Sequence, residues 1–298
     1  MSDIKISVGI TLFTNPDYIF EAIDSLINQS EDAWEGILLL DKGASIKTIQ
    51  IFDNFNHSKF KKFKSPIHLG PEQARAKAIE LATTNWYFQL DSDDVLPVNA
   101  ISDVLNAIKK SPKAEFIYGS TLHFSKESYY VMPPSNDPEV LVTSSLFSSM
   151  LPIKISMYNR LGGYSKKLKY FAADWDFWLS VYEKKILGAD TDTVLYHRRN
   201  HNNNVINRNI EQWPEVLTKI INRHPKFFNF NHRKRKARYH VFERLARHYR
   251  TIRERNKAAY YAKIALENGN ETVTLLEILK EQKMSKIRYF LRYIGKLL

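Results

Sequence analysis

The chain of 298 residues contains no cysteine, which excludes disulfide bonds, thiolate nucleophiles and cysteine-ligated zinc. Its apolar residues never form a run near the roughly 20 residues that a helix needs to cross a membrane. The first ten residues, MSDIKISVGI, lack the basic region and the apolar core of a signal peptide. Together these absences predict a protein of the reducing cytoplasm.

Positive charge is concentrated in the last third of the chain. The net charge is +12, yet residues 1–204 carry 22 basic and 24 acidic residues, whereas residues 205–298 carry 22 basic and 8 acidic ones. A hydrophobic content of 44% with 26% charged residues is ordinary for a globular protein, and the length allows one large domain or two. The asymmetry predicts two modules, the second of which meets a polyanion or an anionic membrane.

Strand-like and helix-like segments alternate over the first hundred residues. Strands are predicted, in chain order, over KISVGITLF, EGILLLDKGAS, SPIHLG and WYFQLDSDD. Helices are predicted to begin at Pro16 and Pro71, because proline followed by an acidic residue suits a first helical turn. The alternation predicts an α/β fold with a mostly parallel sheet and helices on both faces.

Three carboxylates follow the fourth predicted strand, in YFQLDSDDVLP. Ligands of such sheets bind at the carboxyl ends of strands, where both this cluster and Asp41 are expected. Carboxylate oxygens suit Mg²⁺ or Mn²⁺, which bind one or two carboxylates together with substrate phosphates. The cluster formed by Asp91, Asp93 and Asp94 therefore predicts a divalent cation carrying a diphosphate. The alternative is a solvated loop in which Asp94 caps the next helix.

Six segments, in chain order, carry a family resemblance: TLFTNPDYIFEAIDSLINQ, LLDKGAS, LGPEQARAK, DSDD, GGYSKKLKYFAADWDFWLS and RNHNNN. Each is a weak signal alone, but in this order and at these intervals they resemble the family 2 glycosyltransferases. That family consists of inverting enzymes with the GT-A fold, a Rossmann-like α/β fold, some of which make bacterial surface polysaccharides. The resemblance implies a GT-A glycosyltransferase domain over residues 1–205.

The same resemblance implies a set of nucleotide-sugar-binding residues: Thr11, Phe13, Asp41, Arg75 and Asp91. By analogy, Thr11 and Phe13 would line the pocket for the base, which would be uracil or another nucleobase. Asp41 would accept a hydrogen bond from the base, Arg75 would lie near it, and Asp91 would lie by the ribose.

The resemblance also implies the metal ligands and the catalytic base. Asp93 and His201 would bind Mg²⁺ or Mn²⁺ at the diphosphate, and Asp174 would deprotonate the acceptor hydroxyl. Without the resemblance, Asp174 is a helix-start carboxylate that complements the dipole, and His201 is an ordinary loop residue. The sequence departs from the family pattern at Thr11, where proline is preferred, and at Lys42, where a second aspartate is common.

Residues 206–298 are predicted to form an all-α module that is basic and ends in an amphipathic helix. The tail, KMSKIRYFLRYIGKLL, places apolar and aromatic residues at helical spacing among lysines and arginines. This stripe either binds an anionic membrane or packs internally or on another subunit. The basic tract HRKRKAR, residues 232–238, is either a solvated helix start or a surface for phospholipid or nucleic acid.

The sequence thus predicts a metal-dependent inverting glycosyltransferase. It would move a sugar from a nucleoside diphosphate sugar, most simply a UDP-sugar, to a hydroxyl of a lipid-linked glycan. The expected place is the inner face of the plasma membrane, in surface-polysaccharide synthesis, with a homo-oligomer compatible with the apolar tail. Two alternatives stay open: a non-catalytic nucleotide-sugar-binding scaffold, which the departures at Thr11, Lys42 and Ala173 allow, and a nucleic-acid-binding protein.

Overall fold

The computed structural model of the protein describes residues 5–125, 128–132, 137–145, 147–168, 172–200, 210–269 and 272–294, with the backbone alone for 285–294. The chain forms two units. The first consists of Met1–Asp137 with Ser145–Asn204, and the second of Pro138–Ser144 with Val205–Leu298. The predicted domain boundary near residue 205 stays a prediction, and the sequence did not indicate that the segment 138–144 belongs with the helical unit.

The first unit contains an eight-stranded sheet. Its strands are β1 (Ile6–Leu12), β2 (Trp34–Leu40), β3 (Phe60–Lys64), β4 (Trp86–Asp91), β5 (Phe116–Phe124), β6 (Tyr129–Val131), β7 (Ile153–Lys154) and β8 (Gly188–Arg199). The order is β3-β2-β1-β4-β7-β5-β6, and β8 pairs with β5. The pairs β1–β2, β1–β4, β2–β3 and β5–β8 are parallel, whereas β7 and β6 pair antiparallel with their neighbours. The predicted α/β fold with a mostly parallel sheet is confirmed.

Six described helices accompany this sheet: α1 (Ile19–Ile27), α2 (Ile46–Asn54), α3 (Pro71–Leu81), α4 (Ala100–Lys110), α5 (Ile155–Arg160) and α6 (Ala173–Glu183). Side chains of β1 alternate between the two faces of the sheet, as period 2 requires. Its fully buried apolar residues, such as Ile10, join the core that α1, α2 and α4 close. The opposite face, with Ser7 and Thr11, lies against α3. The sheet therefore carries helices on both faces.

Two elements of the first hundred residues differ from the prediction. The third strand is FKKFK, Phe60–Lys64, whereas the predicted strand SPIHLG, residues 65–70, is a loop. Three lysines among two phenylalanines hide the strand pattern, because β3 is the edge strand and its lysines face solvent. Helix α1 begins at Ile19 rather than at Pro16, since residues 16–18 form a turn.

The second unit is helical. Its described helices are α7 (Trp213–Arg223), α8 (Asn231–Thr251), α9 (Arg255–Asn268) and α10 (Val273–Ile294), and short 3₁₀ turns cover Ile210–Gln212 and Phe227–Asn229. The α8–α9 pair buries small and apolar residues: Ala237, Val241, Leu245, Ala246, Ala258, Ala259, Ala262 and Ala265. Alanines on both helices let the backbones pack closely. The predicted all-α module is thus present, and α8 and α9 are joined by a short turn at residues 252–254.

The basic tract at the start of α8 is partly neutralised within its own unit. Glu139 accepts a hydrogen bond from Arg233 at 3.0 Å and one from Lys236 at 3.0 Å, and His232 lies 3.6 Å from the same carboxylate. These contacts lower the pKa of Glu139 against the opposing effect of burial. One face of the tract is therefore structural, which leaves fewer of its charges for a nucleic acid or a lipid.

Among the helices that the structure describes, none combines the length and apolar character needed to cross a bilayer. The backbone of α10 is helical to Ile294. The side chains of the predicted amphipathic tail lie outside the described part of the chain, so its attachment to a membrane stays a prediction.

Packing between α8 and its neighbours should dominate the stability of the helical unit. Leu245→Ala removes a side chain that is 0% exposed and should lower the free energy of unfolding by about 2–5 kcal/mol. Leu276→Ala is the matched control, since Leu276 is 44% exposed. Urea unfolding followed by circular dichroism measures both variants, and equal shifts of the two midpoints would contradict the packing of α8.

Candidate active site

Three aspartates lie together at the end of β4, each held by a different partner. Carboxylate oxygens of Asp91, Asp93 and Asp94 all lie within 4.8 Å of one another. Both oxygens of Asp91 accept hydrogen bonds from Arg75 Nη2, at 2.9 and 2.8 Å. Asp93 Oδ2 accepts one from Asn15 Nδ2 at 3.0 Å. The sequence predicted this cluster, and the structure assigns its three members different surroundings.

Asp94 fixes the turn after β4. Its Oδ1 accepts a hydrogen bond from the backbone N–H of Arg199 at 2.7 Å, and its side chain is 3% exposed. Burial, followed by the charges of Asp91 and Asp93, raises the pKa of Asp94 to about 8. A cation beside these three carboxylates would offset that repulsion. Asp94 is therefore buried and fixes the turn to the end of β8. It does not cap the next helix, because α4 begins at Ala100 without a side-chain cap, so the alternative of a solvated, capping Asp94 is wrong.

The donor set fits a divalent cation at Asp93. Hard carboxylate oxygens suit Mg²⁺ or Mn²⁺, and such ions keep most of their coordination for water and phosphate. Asp91 is committed to Arg75, and Asp94 to the Arg199 backbone. Asp93, which accepts one hydrogen bond from Asn15, stays the predicted ligand of the three.

A buried chain of polar side chains supports Asp91 from the α3 face of the sheet. Tyr87 donates to Gln89 at 2.5 Å, and Gln89 Nε2 donates to Asp91 Oδ1 at 3.2 Å. Arg75 continues the chain from Asp91 to Glu72, whose Oε1 accepts from Arg75 Nη1 at 3.1 Å. Burial lowers the pKa of Arg75, but the charges of Asp91 and Glu72 raise it by more. The pKa of Arg75 therefore lies well above its usual value. The guanidinium is a permanent cation in this network.

Glu72 is a site residue that the sequence presented only as a first-turn acid of α3. It is 6% exposed, and its Oε2 is buried without a hydrogen-bond partner. Burial raises the pKa of Glu72 to about 7, Arg75 opposes that rise, and the charges of Asp174 and Asp91 add to it. An acidic residue at a helix start is too common a pattern to reveal such burial.

The predicted base, Asp174, lies in the first turn of α6. The residue before this helix, Ala172, has a φ of 65°, a left-handed conformation that is uncommon outside glycine. Asp174 Oδ1 accepts the N–H of Trp175 at 2.8 Å. Burial raises the pKa of Asp174, while that N–H and the charges of Arg75 and Arg198 oppose the rise. The same guanidinium that binds Asp91 thus also acts on Asp174.

Two adjacent arginines at the end of β8 have different roles. Arg199 contacts the three-aspartate turn through Nε, which donates to the Asp93 carbonyl at 3.0 Å. Its guanidinium pairs with Glu21 and stacks over Tyr18 and Phe124. The charge of Arg198 acts on both Asp94 and Asp174. The sequence had singled out only the neighbouring His201.

Asp41 organises the loop before α3. Its Oδ1 accepts from the N–H of Lys42 at 2.9 Å and of Leu69 at 2.8 Å, and its Oδ2 accepts from the N–H of Gly70 at 2.9 Å. Gly70 has φ 74° and ψ 168°, a region that is essentially restricted to glycine. The carboxylate is 3% exposed. Asp41 therefore holds residues 68–70 in place. The sequence predicted only a hydrogen bond from Asp41 to the nucleobase, not this role in the loop.

A shallow aromatic surface lies beside that loop. Phe13 is 38% exposed, and its ring centroid is 5.1 Å from that of His68. His68 Nδ1 lies 3.0 Å from Asp41 Oδ2. Thr11 is near the same end of β1, with its Oγ1 3.5 Å from Gln89 Nε2. The two rings are tilted by 32° and partly exposed, so each presents ring surface to solvent. His68 is a member that the sequence did not predict.

The tryptophans of α6 belong to the core. Trp175 and Trp178 are almost fully buried, and Trp178 Nε1 donates to the Ser148 carbonyl at 3.2 Å. Trp178 packs against Phe116, Phe147 and Phe177. Neither indole presents a face that a sugar could stack on.

Most of the predicted site residues are joined by these contacts. Gln89 connects Thr11 to Asp91, Arg75 connects Asp91 to the surroundings of Asp174, and Asn15 holds Asp93. His201 lies outside the described residues, so its predicted metal contact stays a prediction.

Comparisons with known proteins agree on one family. The model of the family described as Glycosyl transferase family 2 matches residues 7–171. Chondroitin synthase of Escherichia coli is 23% identical over 224 residues, which cover 73% of this chain but 32% of that protein. A second E. coli relative, UDP-Glc:alpha-D-GlcNAc-diphosphoundecaprenol beta-1,3-glucosyltransferase WfaP, is 23% identical over 197 residues, covering 66% of this chain and 77% of its own.

Among solved structures, a similar fold occurs in the mannosyltransferase PcManGT of Pyrobaculum calidifontis, in complex with GDP-Man and Mn²⁺. The TM-score is 0.58 at 15% identity, over 95% of this chain and 80% of that one. At this identity the likeness shows the fold alone. The predicted GT-A fold is confirmed, whereas the individual site residues stay predictions.

Glu72→Gln should make stability less dependent on pH. The folded state raises the pKa of Glu72 from 4.5 to about 7, so its stabilising contribution is complete below about 4.5 and is lost as the pH rises through 7. The glutamine variant stays neutral, and its advantage should grow to on the order of 2 kcal/mol by pH 8. Thermal melting from pH 5 to 8 measures the trend.

The matched control is Glu80→Gln, at an exposed position of the same helix. It should follow the wild-type pH profile. A constant difference between Glu72→Gln and wild type across that range would show that Glu72 ionises in the folded protein as it does in water.

Proposed function

Because the chain belongs to glycosyl transferase family 2, we propose that it transfers a sugar from a nucleoside diphosphate donor to a hydroxyl group of a glycan. The observation that carries this proposal is that one guanidinium, that of Arg75, binds Asp91 directly and also acts on Asp174. A donor-side carboxylate and a candidate base thus share one rigid network. Transfer needs both in fixed relation, because the acceptor oxygen must meet the anomeric carbon as the diphosphate leaves.

The nucleotide would bind at the ends of β1, β2 and β4. Phe13 and His68 provide an exposed ring face for the base, and Thr11 borders the same end of the sheet. Asp41 holds the loop 68–70 through three backbone N–H groups, and His68 extends from that loop. Asp41 would therefore shape the base pocket through the loop, and a direct hydrogen bond to the base would add to that role.

The diphosphate would lie over the three-aspartate turn. Asp93 would hold Mg²⁺ or Mn²⁺ there, and the ion would supply Lewis-acid stabilisation of the leaving diphosphate. Asp91, fixed by Arg75 and Gln89, would face the ribose. Arg198 adds a positive charge that acts on both Asp94 and Asp174 and would favour a departing diphosphate.

Asp174 would be the general base. Burial raises its pKa, which strengthens it as a proton acceptor, while Arg75 and Arg198 favour the ionised form. The acceptor oxygen would attack the anomeric carbon as the bond to the diphosphate oxygen breaks. The hydroxyl proton would pass to Asp174, and a single displacement of this kind inverts the anomeric centre.

The donor and the acceptor are narrower proposals. One relative is named for a UDP-glucose donor and a diphosphoundecaprenol-linked acceptor, and a protein of similar fold holds GDP-Man with Mn²⁺. These names support a nucleoside diphosphate sugar as the donor class. They also support a lipid-linked glycan as the acceptor, in surface-polysaccharide synthesis at a membrane face.

Asp93→Asn and Asp174→Asn should each remain folded and lose transfer. Loss of the base should lower kcat by about 10²–10⁴-fold, and loss of the metal ligand by about 10²-fold or more, with an increased requirement for Mn²⁺. Asp53→Asn, at an exposed position of α2, is the matched control. The measurement is product formation from a radiolabelled donor, with melting temperature as the fold check.

Full activity of Asp174→Asn would remove the assigned base. If wild-type protein binds donors but neither transfers nor hydrolyses them with any acceptor supplied, the chain would be a nucleotide-sugar-binding scaffold instead.

Donor choice and metal dependence should appear together in a thermal-shift screen. We expect one nucleoside diphosphate sugar to raise the melting temperature in Mn²⁺ and to do so less in a chelator, because binding to the folded state alone stabilises it. UDP-glucose, UDP-N-acetylglucosamine and GDP-mannose form a first panel. Equal shifts with and without metal would argue against Asp93 as a metal ligand.

A further inference from the structure

A cavity of about 170 Å³ lies within the helical unit, where the turn between α8 and α9 approaches α10. Its lining consists of Arg250, Arg253, Arg255, Ala258, Ile278 and Glu281. The floor is apolar, since Ala258 and Ile278 are almost fully buried. Three arginines around one small cavity are unusual, because like charges repel unless an anion lies between them.

The acidic groups nearby neutralise one of the three arginines. Arg250 Nη2 lies 3.0 Å from Glu277 and 2.6 Å from Glu281. Across the described part of the chain, neither Arg253 nor Arg255 forms an ion pair or a side-chain hydrogen bond. Glu277 and Glu281 therefore both pair with Arg250, and the guanidinium groups of Arg253 and Arg255 are left without an ion pair among the described residues.

Arg253 and Arg255 both occupy backbone positions where an arginine is unfavourable. Arg253 has a φ of 63° at the end of α8, where glycine or asparagine is favoured. Arg255 is the first residue of α9, a helix without an acidic residue in its first turn or a side-chain cap at Glu254. A cation at a helix N-terminus opposes the dipole. Both features place positive charge beside the cavity at a cost to local stability.

We propose that this arginine-lined cavity binds a phosphate group, as a phosphomonoester, a phosphodiester or a diphosphate. Guanidinium groups bind phosphate oxygens in pairs with matched geometry. A phosphate between Arg253 and Arg255 would offset the repulsion between the two guanidinium groups. It would also offset the unfavourable interaction of Arg255 with the positive end of the α9 dipole. Arg250, oriented by Glu277 and Glu281, would be a third donor. The site lies wholly in the helical unit and is separate from the donor site of the sheet.

The ligand could come from a lipid headgroup or from a soluble phosphorylated molecule, and the test separates the two. The first arm titrates inorganic pyrophosphate into the full chain by calorimetry, with EDTA present to suppress metal-dependent binding at the aspartates. The second arm measures binding to phosphatidylglycerol vesicles by co-sedimentation. Both arms compare wild type, Arg253→Ala/Arg255→Ala, and the control Lys109→Ala/Lys110→Ala.

The control pair removes the same charge from exposed positions in the last turn of α4, which belongs to the sheet unit. We expect Arg253→Ala/Arg255→Ala to weaken binding at least tenfold in one arm, while the control changes it less than threefold. Loss in the pyrophosphate arm assigns a soluble phosphorylated ligand, and loss in the vesicle arm alone assigns a headgroup.

Equal behaviour of the two double variants in both arms would overturn the proposal, because binding would then follow net charge alone. Two further measurements keep the outcome clear. Circular dichroism melting verifies that each variant folds, and UDP titration in Mn²⁺ should be unchanged in Arg253→Ala/Arg255→Ala. The result does not depend on sugar transfer, so a failure here is distinguishable from a failure of the proposed function.

Discussion

The ion pair between Arg75 and Asp91 connects the two halves of the candidate site. It joins α3 to the end of β4 through hydrogen bonds of 2.8 and 2.9 Å, and its two side chains are 14% and 23% exposed. A pair that is largely removed from water is costly to desolvate and is retained only with good geometry and further hydrogen bonds, which Glu72 and Gln89 supply here. Because the guanidinium also acts on Asp174, any shift of α3 would alter the donor side and the candidate base together.

The three aspartates after β4 show how adjacent, chemically identical residues acquire different functions. Asp91 is bound by a permanent cation, Asp94 is buried and fixed by a backbone N–H, and Asp93 receives the Asn15 amide. Burial, and then the charges of Asp91 and Asp93, raise the pKa of Asp94 and favour its neutral form. The three carboxylates therefore differ in charge and partner, and a divalent cation at Asp93 stays a prediction.

The sequence predicted what depends on local pattern and missed what depends on packing. The strand before the aspartates was predictable because an apolar run ends abruptly in DSDD. Strand β3 was misplaced because its lysines, on an exposed edge, break the apolar pattern that marks buried strands. The pairing of Arg75 with Asp91 could not be predicted, since α3 must first pack on the sheet. The burial of Glu72 follows from the same packing and leaves no signal in an ordinary helix start.

The segment 138–144 changes how the helical unit should be understood. It precedes β7 and α6 in the chain, yet it folds with residues 205–298. Glu139 pairs there with Arg233 and Lys236, and Leu141 and Val142 are fully buried. A chain that ended near residue 205 would therefore keep Glu139 but lose its partners Arg233 and Lys236. The helical unit is thus built from two parts of the sequence, and the segment that completes it is inserted between strands of the sheet unit rather than appended after them.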